Sequence, residues 1–127
     1  MGNVSYSAVV LDEQSKAKLI KVFKPMIPEG WEIIAHHMTI NTCELDPEYK
    51  QDLGKEIELT THDYARDDKV MAVGVSGYAC KNPKAHITLA VNRKEGGKPF
   101  MSKKLTDWKP LGFPLQLTGI VTEVEFK

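Results

Sequence analysis

The chain has 127 residues, 42% of them hydrophobic and 27% charged, with 17 basic and 17 acidic side chains. That length and balance describe one globular domain, residues 1–127, with apolar material for a sizeable core. A formal net charge of zero argues against a protein that coats nucleic acid through an overall basic field, although a small cleft for one phosphodiester remains compatible with it.

No apolar run is long enough to span a bilayer. The start, Met1-Gly2-Asn3-Val4-Ser5-Tyr6, lacks the basic and apolar regions of a secretion signal, and Tyr6 stands where a myristoylation signal wants Ser or Thr. Cys43 and Cys80 form no CxxC and no metal-ligand spacing. Reduced thiols and a cytoplasmic protein are the expectation.

Taken in order, Ser5 to Leu11 alternates as a strand, with Tyr6, Ala8 and Val10 on one face and Val9 and Leu11 on the other. Asp12 is an N-cap, with Glu13 in the first turn of the helix that follows. That helix carries Leu19, Val22 and Phe23 on one stripe, with Ala17 and Ile20 beside it, and Pro25 stops it near Phe23 or Lys24. Pro28-Glu29-Gly30 is a turn, Trp31 to Ile34 a short apolar segment, and a strand runs from Ala35 or His37 to Thr42. Asp46-Pro47-Glu48 opens a polar connection to Gly54 with room for one helical turn. Ile57 and Leu59 alternate with polar neighbours as in a half-buried strand. Asp67-Asp68 turns that strand into Val70 to Val75, a hairpin. After a loop from Gly77 to Pro83, Lys84 to Asn92 is a strand with Ala85, Ile87, Leu89 and Val91 inward. Gly96-Gly97 breaks it. Ser102 caps a short helix through Trp108 that Pro110 ends, and Leu115 to Phe126 forms a last long strand. The periodicity gives an α+β fold with a mostly antiparallel sheet and few helices.

Two stretches echo each other: His37-Met38-Thr39-Ile40 and His86-Ile87-Thr88-Leu89. In a strand, side chains alternate between faces. His37 and Thr39 therefore share one face, and Met38 and Ile40 the other; the second stretch repeats the arrangement. Side by side, two such strands offer two imidazoles and two hydroxyls to one ligand. Imidazoles with pKa values of ~6.5 can remove or supply a proton near neutrality. Hydroxyls can hold phosphate oxygens as charge develops on them. No metal is needed for such chemistry, and no acidic cluster of a two-metal site accompanies the histidines.

The pair of His-x-Thr-apolar strands in a small α+β chain resembles the two-histidine (2H) phosphoesterase superfamily, which includes cyclic phosphodiesterases, cyclic-phosphodiesterase domains of tRNA ligases and phage enzymes that destroy cyclic nucleotide signals. The resemblance implies a two-lobed sheet with a central cleft, one His-x-Thr from each lobe. It implies a metal-independent phosphodiesterase without cofactors, acting on a nucleotide or RNA end bearing a 2′,3′-cyclic phosphate or a phosphodiester, with His37, Thr39, His86 and Thr88 catalytic. A phage-type hydrolase of cyclic oligonucleotide messengers is the alternative substrate reading. A module that binds a nucleotide or RNA end without turnover is the alternative in kind, and two structural strand histidines are the bland one. The likeness spans roughly residues 4 to 124, but its motifs are closer together than in many relatives and its second lobe is short of a helix.

Around these motifs, Tyr78 in the preceding loop and Phe100 after Gly96-Gly97 are the aromatic candidates to stack a base. Tyr6, Trp108 and Phe113 read instead as anchors, with Trp108 and Phe113 pinning the last strand. Lys84 is the basic candidate for substrate, within a sequence cluster of Lys81, Lys84, Lys98, Lys103 and Lys104. His36 points away from His37 if the strand is regular, so it is packed or at the rim; a bulge there would exchange the two. His62 is solvated. Asn41 and Asn92 are in phase with the motifs.

Overall fold

The computed structural model describes residues 4–41, 45–78, 84–112 and 114–125. β1 (Val4–Leu11) leads into α1 (Glu13–Phe23) through Asp12, whose carboxylate accepts the Ser15 N–H at 2.7 Å as the expected N-cap. A 3-10 turn over Lys24–Met26, with Pro25 inside it, ends the helix. Leu19 and Phe23 are fully buried and Ile20 and Val22 partly so, whereas Ala17 is exposed rather than beside the stripe. The helix is tied to the last strand at two points: Ser15 Oγ accepts the Thr118 N–H at 2.7 Å, and Lys18 donates to the Gln116 carbonyl at 2.8 Å.

The remaining strands are β2 (Glu32–Ile33), β3 (His37–Asn41), β4 (Glu56–Arg66), β5 (Val70–Ser76), β6 (His86–Val91), β7 (Lys109–Pro110) and β8 (Gln116–Glu125). The β4–β5 hairpin forms as expected, because the Asp67 carboxylate gathers the Lys69 and Val70 N–H groups at 2.8 and 2.9 Å. Every ladder among the described residues is antiparallel, and the fold is α+β with few short helices. The main ladders also close on themselves: β3 pairs β1, β1 pairs β8, β8 pairs β4, β4 pairs β5, β5 pairs β6, and β6 returns to β3. The closure is thinnest between β3 and β6, where the ladder holds one pair, Met38 with Ile87.

Paired residues share a face, so the register sorts the two surfaces of the sheet. Val9, Met38, Ile87 and Val73 pair in a row across four strands, and all four are completely buried. With Leu11, Ile40, Leu59, Leu89, Leu117 and the α1 side chains they make the main core. The opposite face carries a smaller cluster of Ala65, Val70, Ala72, Val91 and Leu105, flanked by Ile34, Met101 and Trp108.

One element departs from the sequence reading. The helix expected from Ser102 to Trp108 is instead a 3-10 turn over Pro99–Lys104 followed by irregular chain, with Asp107 at φ 55. Pro99 supplies the preset first-turn position. Ser102 is not its cap but lies inside it, 2% exposed, with its hydroxyl turned onto β6. Trp108 is an anchor as expected, but it pins this segment over β5 and β6 rather than the last strand. Among the described residues no helix is long and apolar enough to cross a membrane.

Candidate active site

The one-pair ladder between β3 and β6 organises the site. Met38 stands opposite Ile87, so the residues on either side of that rung, His37 and Thr39 on β3 and His86 and Thr88 on β6, turn to the same surface of the sheet. All four lie on the face opposite the main core, and the two imidazoles are near enough for His86 to act electrostatically on His37. Small residues on the neighbouring strands flank three of the four, Ala8 pairing with Thr39, Gly74 with His86 and Ala72 with Thr88, while His37 pairs with Val10. Met38, Ile40, Ile87 and Leu89 go into the core, as the alternation in the sequence requires.

The two half-sites differ. His86 is 8% exposed beneath the 3-10 turn. Its Nδ1 lies 2.7 Å from the Lys84 carbonyl oxygen; a carbonyl only accepts, so Nδ1 carries the proton. Its Nε2 lies 2.8 Å from Ser102 Oγ, which is also 2.9 Å from Thr88 Oγ1 and 2.8 Å from the Pro99 carbonyl. Ser102 has one proton for these partners. With His86 neutral, Ser102 donates to Nε2. With His86 charged, Nε2–H donates to Ser102 and the Ser102 proton turns to the Pro99 carbonyl. Either charge state keeps its hydrogen bonds.

His37 is held differently. Tyr6 stacks on it, with ring centroids 4.8 Å apart and planes at 27°. His36 meets it edge-on, Nδ1 to Nδ1 at 2.9 Å. Burial, then the nearby His36 and His86 imidazoles, push the His37 pKa down to about 4, so the ring is neutral at pH 7. His36 is also held below its ordinary value, by burial and by Lys16, with Glu13 opposing.

The tandem histidines share this edge because the chain kinks before them. Ala35 is fully buried at φ 42, a left-handed conformation uncommon for a residue with a side chain. Ala35 N–H bonds the Thr88 carbonyl at 2.9 Å, and the His36 carbonyl accepts the Leu11 N–H at 3.0 Å. The β6 register moves by two residues between Ala35 and Met38. His36 is exposed, at the rim as expected, but turned toward His37 rather than away.

Of the three substrate-binding candidates, Lys84 lies beside the site. Its Nζ is 2.6 Å from Asp63 Oδ2 and 4.8 Å from the Trp108 ring centre, and Trp108 is 6.4 Å from the His86 ring. The charge of Lys84 is thus shared with a carboxylate. Tyr78 packs on the main core, donates to Asp52 at 2.7 Å and tilts against Tyr49; no described contact joins it to the four motif residues. The Phe100 side chain lies outside the described residues, as do those of Lys81 and Lys103, together with Cys43, Cys80 and Phe113. Asn92 donates to the Asp68 carbonyl at 3.1 Å and so braces the β4–β5 turn. His62 is exposed.

Sequence reasoning missed Ser102, Tyr6 and His36 as partners of the motif residues. The phase of Tyr6 in β1 was visible, but nothing local says which strand lies beside it. A cavity of about 450 Å³ lined by Pro25, Met26, Tyr64, Arg66, Asp107 and Lys109 includes none of the four. Among the described residues no group of three or more His, Cys, Asp or Glu side chains gathers to hold a metal. No protein-family model matches the chain, and no curated protein matches it.

Proposed function

We propose that the protein is a phosphodiesterase that opens a 2′,3′-cyclic phosphate on a nucleotide or RNA end by acid–base catalysis between two histidines, without a metal. The observation that carries this reading is the Met38–Ile87 pair, which brings the two motif strands side by side with both His-x-Thr units on one face. The two-lobed description of the superfamily that the motifs resemble fits the ring of strands as two three-stranded halves, β3-β1-β8 and β4-β5-β6, joined by the β8–β4 ladder on one side and by the two motif strands on the other.

His37 is the base in this scheme. Its surroundings favour the uncharged ring, which has a lone pair to take a proton from water at neutral pH. The water oxygen bonds to phosphorus as the bond from phosphorus to one ribose oxygen breaks. His86 is the acid and gives its Nε2 proton to that departing oxygen. The Lys84 carbonyl supports the imidazolium through Nδ1 before transfer, and the neutral ring keeps the same bond afterwards. The product is a phosphate monoester and a free hydroxyl. Thr39 and Thr88 hold the non-bridging oxygens.

Ser102 marks an oxygen position in the second half-site. His86 Nε2 and Thr88 Oγ1 lie 2.8 and 2.9 Å from its oxygen, so a phosphate group in its place would bring its leaving oxygen to His86 and a non-bridging oxygen to Thr88. Substrate binding exchanges that hydroxyl for a phosphate oxygen.

The test is a substrate panel in chelator: RNA ending in a cyclic phosphate, mononucleoside 2′,3′-cyclic phosphates, and cyclic di- and trinucleotides. Turnover of the first two is expected, with His37→Ala and His86→Ala each lowering it by about 100-fold or more. Turnover of the cyclic oligonucleotides alone moves the substrate to that messenger class. Activity that needs a divalent metal, or that survives both substitutions, overturns the mechanism. Tight retention of a cyclic phosphate without product points to the binding module instead.

A further inference from the structure

We infer that His36 is a positioning residue: its Nδ1 accepts the Nδ1–H of His37 and so fixes His37 in the tautomer whose Nε2 lone pair is free to take a proton. The inference deepens the proposed function and rests on His37 being its base.

Two neutral imidazoles whose Nδ1 atoms lie 2.9 Å apart hydrogen-bond only when one of the two nitrogens carries a proton and the other does not, so the contact ties the tautomer of one ring to that of the other. An Nδ1–H on His37 leaves its Nε2 unprotonated, the form a base needs. The opposite sharing would put the His37 proton on Nε2 and block it. The tautomer of a functional histidine is set by the bond its other nitrogen makes. For His86 that partner is a backbone carbonyl. For His37 the nitrogen that lies in the corresponding place is His36 Nδ1.

The backbone is built to hold this contact. A regular strand would send neighbouring side chains to opposite faces. The left-handed Ala35, pinned by the Thr88 carbonyl on one side of the kink and by the Leu11 N–H on the other, breaks that alternation. A strained conformation persists where the surrounding structure over-determines it, and such residues gather at functional sites. The Tyr6 ring lies against the face of His37 and limits its tilt, leaving the edge toward His36.

The test uses the full chain with 15N-labelled histidine and long-range 1H–15N correlation at pH 7, alongside steady-state kinetics on a mononucleoside 2′,3′-cyclic phosphate. His36 is exposed, so its replacement leaves the core intact. In the native protein His37 is expected to carry its proton on Nδ1. His36→Phe removes the acceptor, spreads His37 over both tautomers and lowers kcat roughly 10- to 100-fold with KM unchanged, the size of loss found when a metal-bound histidine loses the partner of its other nitrogen. His36→Asn supplies a carboxamide oxygen as acceptor and restores both the nitrogen pattern and most of kcat. A native His37 with its proton on Nε2, or a nitrogen pattern that His36→Phe leaves unchanged, overturns the inference. The nitrogen readout needs no turnover. A chain that hydrolyses nothing therefore refutes the phosphodiesterase reading, while the tautomer of His37 still decides this one.

Discussion

Replacing His37 by Asn changes how the stability of the protein depends on pH. Folding holds this imidazole neutral, with its pKa lowered from 6.5 to about 4 by burial and by two neighbouring imidazoles. The unfolded chain therefore takes up this proton first as the solution is acidified. The stabilising contribution is complete above pH 6.5 and is lost as pH falls toward 4. The full difference is worth about 3 kcal/mol at 1.36 kcal/mol per pH unit. About 2 kcal/mol of it has gone by pH 5, and the ring's partial view of solvent makes that an upper value. The lowered carboxylates Asp52 and Glu123 titrate too, but they do so in both proteins and cancel in the difference. Urea unfolding of the native and His37→Asn proteins at pH 7 and pH 5 measures it. The native protein is expected to lose about 2 kcal/mol more between the two pH values than the variant does. Equal losses would refute the account of His37 as a ring held neutral by its surroundings, and the assignment of the base would go with it.

Three other perturbations probe the rest of the site. Ser102→Ala deletes the hydroxyl shared by His86, Thr88 and the Pro99 carbonyl; stability is expected to drop by about 1–3 kcal/mol in thermal or urea melts. The KM for a cyclic phosphate should fall in the same variant, because the competing oxygen is gone; a raised KM counts against Ser102 as its stand-in. A Cβ on Gly74 would overlap Asp63 Oδ1 and lie 2.9 Å from Lys84 Cε. Gly74→Ala is expected to dislodge that ion pair and cost about 1–3 kcal/mol, and a variant as stable as the native protein would show the pair is not held there. Met38→Ala empties the single rung between β3 and β6, where the side chain is fully buried. A loss of about 2–5 kcal/mol is expected in urea unfolding, together with loss of activity from a seam that no longer aligns the two motifs.

How far the sequence could be read depended on how local each determinant is. The hairpin at Asp67 and the cap at Asp12 are made by side chains reaching backbone within three residues, so their signals lie in the sequence itself. The His/Thr phase was equally legible, because a strand places alternate residues on opposite faces wherever it sits. The turn at Pro99 was misread as a later helix because Ser102 has the chemistry of a cap. Its hydroxyl is instead taken by β6, 14 and 16 residues earlier in the chain. Tyr78 looked well placed in sequence beside the second motif. Its hydroxyl is satisfied by Asp52, 26 residues away, at the edge of the main core.

The order of residues alone determined which side chains could face a ligand together: His37 with Thr39, and His86 with Thr88, each backed by apolar residues bound for a core. It could not determine that these two strands would be neighbours, because strand pairing is a long-range choice made by the whole set of faces that must be buried. Tertiary structure decided the Met38–Ile87 pairing that puts the two motif strands side by side. It also decided the left-handed Ala35 that turns His36 onto its neighbour, and the turn that lays Ser102 over His86. The register and the Ser102 contact join segments far apart in sequence, and the Ala35 kink is held from outside by the Thr88 carbonyl. They exist only once burial of the core has fixed where every strand must lie.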